Sequence, residues 1–252
     1  MYSVGIDVHD AQHQVCVLDA QGQPVWEGSI PNTPAGHSAL VRRLKAYGPT
    51  PVQVGLESSG PFWVLLMDRL CEAGLVASLV NGYHVKRWAQ SGAHSTRTDR
   101  VDARIIADYV RVRKPRRYQP APDIHRTLLD LVKVHDRLTR QKRQWVSRLK
   151  SYRKRAASEQ ALQIVRHQLE VTIRDLRVLD GQIKALLKQI PESQAVDEVP
   201  GVGPINAAWF VAKYPEPEAF ATKGRVKAHL GLAPKEHYSA GRKYSSHLSR
   251  QG

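Results

Sequence analysis

Four acidic residues are candidates for chemistry because each follows or opens an apolar segment. Asp7 lies within GIDVH near the start of the chain, and Glu57 lies within GLESSG. Asp99 and Asp102 lie three residues apart within TDRVDARIIADY, so one face of a helix would present both carboxylates in the same direction. Four carboxylates gathered in one place repel one another unless cations lie between them. Their oxygen ligands suit Mg²⁺ or Mn²⁺, and a pair of such ions can activate a phosphodiester.

Each acid taken singly also has a structural interpretation as a turn or cap residue. Asp99, for example, could simply cap the helix that follows Thr98. The hypothesis of a metal site therefore depends on a fold that brings the four acids together as a set.

The first 80 residues predict the elements of such a fold. Apolar and alternating patterns predict strands at 2–8, 13–19, 24–30, 52–57 and 75–80, with helices before and after the fourth strand. This order predicts an α/β domain with a mixed sheet, as in a ribonuclease-H-like core. If the first and fourth strands are neighbours, Asp7 and Glu57 meet at one edge. A helix over 99–112 laid across that edge would add Asp99 and Asp102.

The rest of the chain predicts helices. Three prolines between 115 and 124 indicate a stiff linker, and apolar residues spaced by three and four over 128–152 and 162–190 predict a helical hairpin or coiled coil. Within VPGVGP, Gly201 and Gly203 fit a helix-hairpin-helix turn whose backbone N–H groups approach a phosphate, although the same pattern can form a packing corner. We therefore predict three domains, at 1–118, 119–192 and 193–252.

The third predicted domain is small and mainly helical. Its tail is polar, rich in Gly and Ser, and ends without a closing element, so we expect a C-terminally truncated domain.

The amino-acid composition indicates which class of molecule the protein binds. Thirty-eight Lys and Arg against 23 Asp and Glu give a net charge of +15, which implies a polyanion. Five Trp and nine Tyr, several of them among arginines, favour nucleic acid over a membrane surface. The sequence has no apolar run of about 20 residues and no signal-peptide pattern, and its two cysteines lack metal-site spacing. We expect a cytoplasmic, nucleoid-associated protein of a bacterial or archaeal cell.

One segment concentrates this charge. Nine basic residues and no acid lie between Arg137 and Arg155, which predicts a surface that follows a phosphate backbone. A charge run can also be only the solvated face of a helix. The residues predicted to contact nucleic acid here are Arg137, Arg140, Arg143, Arg148, Lys150, Arg153, Lys154 and Arg155.

These motifs together resemble a known family. GIDVH, GLESSG and TDRVDARIIADY, followed by a helical middle, VPGVGP and GLAPKEHYSAG, are similar to the DEDD transposases of the insertion sequence one-hundred-ten family, which includes pilin-gene invertases. The resemblance covers nearly the whole chain and implies a RuvC-like ribonuclease-H domain, a coiled coil and a C-terminal transposase domain. It also implies that Asp7, Glu57, Asp99 and Asp102 form the tetrad, and that a structured guide RNA from the element pairs with DNA.

The resemblance further implies a serine nucleophile. The family pattern P-x-x-x-x-S-[ST]-G corresponds here to 234–241 and places the nucleophile at Ser239. The sequence departs from the pattern at Ala240, where the family usually has a second Ser or Thr, and it lacks a glycine several residues later. Side chains that could take the serine proton or stabilise charge on phosphate are His237, Lys235, Arg242 and Lys243.

Three functions stay open at this point. The first is a site-specific recombinase that uses both the tetrad and the serine. The second is a metal-dependent nuclease of resolvase type, and the third is a non-enzymatic nucleic-acid-binding protein. The heptads over 162–190 predict a homodimer or higher oligomer, with a hairpin inside one chain as the alternative.

Overall fold

The computed structural model describes residues 1–58, 60–91, 98–197, 199–215, 222–229, 233–239 and 242–248; the side chains of 234–247 lie outside this description. The chain divides into two compact units, Met1–Pro120 and Ala121–Gly252. The further division of the second unit into a middle and a C-terminal domain stays a prediction.

The first unit is built on a five-stranded mixed sheet. Its strands are β1 (Tyr2–Asp7), β2 (Gln12–Leu18), β3 (Pro24–Pro31), β4 (Val52–Glu57) and β5 (Val76–Val80). They lie in the order β3-β2-β1-β4-β5, with β1 to β3 antiparallel in succession and β1, β4 and β5 parallel. This is the ribonuclease-H-like order that the sequence predicts, and it makes β1 and β4 neighbours.

Helices cover both faces of this sheet. They are α1 (Pro34–Lys45), α2 (Val64–Glu72), α3 (Gly82–Ser91) and α4 (Asp99–Arg113). The first two pack with Val4, Ile6 and Leu56 in the main hydrophobic core, and α4 lies on the opposite face. The sequence pattern does not predict α3, whose apolar contribution to the core is confined to a few residues such as Val85 and Ala89.

Two glycines let α4 approach the sheet closely. A Cβ on Gly5 would lie 2.1 Å from the backbone oxygen of Ala103 and 2.2 Å from the backbone nitrogen of Ala107. On β4, a Cβ on Gly55 would lie 2.3 Å from a methyl group of Val110. Gly5 and Gly55 pair across β1 and β4, so they form one shallow depression in which α4 rests.

The second unit contains a long helical hairpin. Helix α5 (Asp123–Lys154) and helix α6 (Glu159–Leu187) are joined by residues 155–158. Ser158 is the N-cap of α6, and its hydroxyl accepts from the N–H of Ala161 at 3.4 Å. The remaining elements are α7 (Ser193–Asp197), α8 (Pro204–Lys213), α9 (Lys223–His229), β6 (Pro234–Ser239) and β7 (Arg242–Leu248). The sequence does not predict the β6–β7 hairpin, whereas the other described elements after residue 192 are helices, in keeping with the predicted mainly helical region.

The apolar stripe of α6 is buried within a single chain. Leu162, Val165, Leu176, Leu179 and Ile183 are buried, and the last two share a core with residues of α5 and α8. Leu169 and Leu186 of the same stripe are half-buried. Most of the stripe is therefore covered within one chain, which supports the intramolecular alternative for that part of it. In the described residues no helix is both long and apolar enough to span a membrane.

Replacing Gly5 by Ala tests the close approach of α4. The added methyl group would meet backbone atoms that cannot rotate away, so we expect a loss of about 3 kcal/mol in the free energy of unfolding, measured by calorimetry. Gly181→Ala is the matched control, because Gly181 is exposed in α6 with nothing within 4 Å of its Cβ position. It should stabilise by about 0.5–1 kcal/mol. Equal effects of the two substitutions would contradict the packing described above.

Candidate active site

Two of the four predicted acids lie at the carboxyl ends of neighbouring parallel strands. Asp7 ends β1 and Glu57 ends β4, and the preceding residues Ile6 and Leu56 pair directly. Because side chains alternate along a strand, Asp7 lies on the same face as Gly5, and Glu57 on the same face as Gly55. Both carboxylates therefore lie on the face that α4 covers.

The other two acids lie in the first turn of α4. Thr98 is the cap residue, and its hydroxyl accepts from the N–H of Val101 at 3.3 Å, so Asp99 does not serve as the cap. From Ala103 to Asp99 the helix rises about 6 Å, and from Gly5 to Asp7 the strand advances about 6.6 Å. These nearly equal steps explain why a helix that touches Gly5 through Ala103 presents Asp99 near Asp7.

Glu57 is accommodated by a third glycine. A Cβ on Gly82, the first residue of α3, would lie 2.3 Å from Oε1 of Glu57. The Glu57 side chain therefore lies directly against the start of α3, an element that the sequence analysis missed.

A histidine joins the acids. The Nε2 atom of His9 lies 3.0 Å from Oδ2 of Asp7 and 3.6 Å from Oδ2 of Asp99. One ligand atom from each of these three residues lies within 4.8 Å of the others, which is a grouping able to hold a metal ion. Glu57 and Asp102 stand outside this tightest group. His9 is not among the site residues predicted from the sequence, although it lies two residues after Asp7 within GIDVH.

The charges of the remaining two acids also act on Asp7. Burial raises the pKa of Asp7 to about 6, the negative charges of Glu57 and Asp102 add to the increase, and His9 opposes it through its charge and hydrogen bond. The Asp7 side chain is only 10% exposed. Ionising Asp7 among its acidic neighbours is therefore unfavourable in the protein alone, and a divalent cation would supply the missing positive charge. The residues present thus fit a divalent metal.

Comparison with known proteins identifies the family. A family model for DEDD transposases of the IS110 type, described as "Transposase", matches residues 4–157. A second, described as "Transposase IS116/IS110/IS902 family", matches residues 193–252. The chain belongs to the IS110 family of transposases. The resemblance drawn from the sequence motifs is thereby confirmed, as is the class of enzyme, a DNA transposase or recombinase.

Two relatives in sequence agree with this assignment. The pilin gene-inverting protein of Moraxella bovis is 24% identical over 248 residues, which cover 94% of this chain and 73% of that protein. The transposase for insertion sequence element IS1111A of Coxiella burnetii is 22% identical, over 99% of this chain and 73% of that one. A structure of T. thermophilus RuvC in complex with a Holliday junction substrate is 16% identical, with a TM-score of 0.36 over 47% of this chain and 99% of that chain.

The second unit of this IS110-family transposase carries the other predicted site residues. The basic residues from Arg137 to Arg155 that the sequence singled out are all exposed, along α5 and at its C-terminal cap. Gly201 has a φ of 86°, and Gly203 is the residue that caps α8; a Cβ at either glycine would meet nothing within 4 Å. Ser239 ends β6, where its backbone pairs with Arg242 of β7. The side chains of Ser239, Lys235, Arg242 and Lys243 lie outside the described residues.

The pKa of Asp7 in the metal-free protein tests this grouping of charges. Glu57→Gln and Asp102→Asn each remove a negative neighbour, so each should lower that pKa from about 6. His9→Gln removes the imidazole that lowers the pKa of Asp7 and should therefore raise that pKa. The measurement is an NMR titration of the Asp7 carboxyl carbon. Asp108→Asn is the control, since Asp108 bonds to Arg111 and Trp88 on the same face of the unit but away from Asp7. A pKa that none of the first three substitutions moves would contradict the grouping.

Proposed function

We propose that the protein is an insertion-sequence transposase that cuts and rejoins DNA with two groups of residues. Asp7, Glu57, Asp99 and Asp102 hold Mg²⁺ or Mn²⁺, and Ser239 is the nucleophile. The observation that carries the proposal is the buried carboxylate of Asp7, which faces Asp99 through His9 and is coupled to Glu57 and Asp102.

The four acids have a defined part in this chemistry. When bound, divalent cations would make the phosphate of the scissile bond more electrophilic. Asp7 contributes a nearly buried oxygen ligand that does not have to be ordered on binding, because the strand end fixes it. Asp99 and Asp102 lie one turn apart on α4, so both can contribute to the same cluster.

The serine distinguishes recombination from hydrolysis. Attack by the Ser239 hydroxyl forms a Ser–phosphate ester, breaks one phosphodiester bond and releases a DNA hydroxyl, while the serine proton passes to a base. Because one ester bond replaces another, a DNA hydroxyl can later attack the phosphoserine and restore a phosphodiester. Attack by water would leave no such ester to rejoin. Lys235, Arg242, Lys243 and His237 are the neighbours in sequence that would assist.

Helix α5 supplies the surface for nucleic acid. Its basic residues are exposed, and two arginines lie over aromatic rings: Arg148 is 4.8 Å from the centre of the Trp145 ring, and Arg155 is 4.0 Å from that of Tyr152. Such a face presents both positive charge for phosphates and flat rings for bases. Gly201 and Gly203 offer a further approach to phosphate at the start of α8. DNA and a structured guide RNA are the proposed partners.

The proposed assembly is a homodimer or a higher oligomer. Joining two DNA segments requires at least two active centres, which is the support for this proposal. Since most of the apolar stripe of α6 is buried inside one chain, the contact between chains would mainly use other surfaces.

The trapped intermediate provides the test of the serine. We expect wild-type protein with Mg²⁺ to form a covalent protein–DNA adduct that maps to Ser239 by mass spectrometry. Ser239→Ala should bind DNA and metal normally but form no adduct and cleave no DNA. Asp7→Asn and excess EDTA should each abolish cleavage, because both remove the cation. Ser246→Ala, another serine of the same β-hairpin, is the matched control.

The possible results separate the alternatives. Normal nicking by Ser239→Ala would favour a metal-dependent nuclease of resolvase type, and full activity in EDTA would refute the role of the acids. Absence of any cleavage by the wild-type protein on its own element's DNA ends, with RNA present, would favour a protein that only binds.

The basic face of α5 has its own test. Replacing Arg148, Lys150, Arg153 and Arg155 by Gln should reduce the slope of log affinity against log salt by about 0.9 for each duplex phosphate that the variant no longer neutralises, or about 0.7 on a single strand. Sequence preference should not change. The matched control removes the same charge from exposed positions of α6 and its C-terminal cap: Arg174, Arg177, Lys184 and Lys188. Equal slopes for the two variants would assign the α5 charges to a solvated surface.

A further inference from the structure

The turn between β1 and β2 is held by side chains that the proposed reaction does not use. The Nδ2 group of Asn32 donates to the backbone oxygens of His9 at 3.2 Å and Asp10 at 3.0 Å. Nε2 of His37 donates to Oδ1 of Asn32 at 3.0 Å. The backbone N–H of His9 donates to Nδ1 of His13 at 3.2 Å. Both the N–H and the carbonyl of His9 are thus bonded, which fixes the direction in which its side chain leaves the turn.

The buried histidine in this network is costly. His13 is completely buried, its Nε2 atom has no hydrogen-bond partner among the described residues, and its ring stacks on that of His37 at 5.7 Å. An unsatisfied buried polar group costs about 1–3 kcal/mol, which an apolar residue would avoid. Burial, with a contribution from His37, lowers the pKa of His13 to about 4, so the ring is neutral and its Nδ1 can accept a hydrogen bond. An imidazole at this position accepts from the backbone of His9 and interacts with the side chain of Asn32, the two groups that hold the turn.

We propose that His9 is a fifth donor of the cation site and that Asn32, His13 and His37 are positioning residues that fix it there. The proposal rests on the cation site described under Proposed function. It adds a nitrogen ligand to four predicted ligands that are all carboxylate oxygens.

The distances around His9 fit this role. Two ligands of one ion, each about 2.1 Å from it and at right angles, lie about 3.0 Å apart; a tetrahedral angle increases the separation to about 3.4 Å. Nε2 of His9 lies 3.0 Å from an oxygen of Asp7 and 3.6 Å from an oxygen of Asp99. Both separations from Nε2 of His9 are therefore close to those that ligands of a common cation adopt.

A nitrogen donor changes which ion the site prefers. Carboxylates suit Mg²⁺ and Mn²⁺ alike, whereas imidazole binds transition metals better than it binds Mg²⁺. We therefore expect the protein to bind Mn²⁺ more tightly than Mg²⁺, and much of that preference to disappear without His9.

Titration of MnCl₂ into the full chain, with free Mn²⁺ read by electron paramagnetic resonance, tests the proposal without any DNA. His9→Ala should weaken Mn²⁺ binding about tenfold or more and Mg²⁺ binding, read by competition, by less. Because the His9 side chain is 45% exposed, the fold should survive its removal. Asn32→Ala should weaken Mn²⁺ binding in the wild type but have no further effect in the His9→Ala background, since it acts through His9.

Asp19→Ala is the matched control for Asn32→Ala. Asp19 closes the turn at the other end of β2, where its carboxylate accepts from the N–H groups of Gln21 and Gln23 at 2.9 and 2.8 Å. It should leave the Mn²⁺ affinity unchanged. Unchanged or tighter Mn²⁺ binding by His9→Ala would overturn the proposal, because the histidine would then only occupy the place of the cation. If Asp7→Asn also left Mn²⁺ binding intact, the cation site that the proposed function requires would be refuted as well.

Discussion

The close approach of one helix to the centre of the sheet is the constraint on which the candidate site depends. Gly5 and Gly55 lie side by side on β1 and β4, and each lacks the side chain that would hold α4 away. Each glycine is followed two residues later by an acid on the same face, Asp7 or Glu57. The feature that lets α4 lie on the sheet therefore also determines that its first turn lies beside these two carboxylates.

Holding these carboxylates close together costs electrostatic free energy in the folded protein. Asp7 is nearly buried and has acidic neighbours, and its pKa is raised to about 6 as a result. The burial of Asp7 reduces the screening of its charge by water, which makes the repulsion from its acidic neighbours more costly. His9 provides part of the relief, held by Asn32 and His13. A cation would provide the rest, and this is why a site that is unfavourable alone is suited to binding metal.

Much of the fold could be predicted from the sequence, because strands such as β2 alternate cleanly and the prolines and glycines between elements are strong signals. The grouping of the four acids followed from strand order. The role of His9 could not be predicted, since it depends on contacts from Asn32 and His37, which lie more than 20 residues away in the chain. Helix α3 was missed because it has few apolar residues, and the β6–β7 hairpin because its strands are polar. Gly5 and Gly55 can be read from the sequence, but their role in the close approach of α4 is seen only in the packing of that helix.

Anomalous diffraction from crystals of the full chain grown with MnCl₂ tests the central claim most directly, that the approach of α4 creates a cation site. The structure predicts an anomalous peak about 2 Å from the carboxylate oxygens of Asp7 and Asp99, on the face of the sheet that α4 covers. No peak in this cluster, at a Mn²⁺ concentration that supports DNA cleavage in solution, would contradict it.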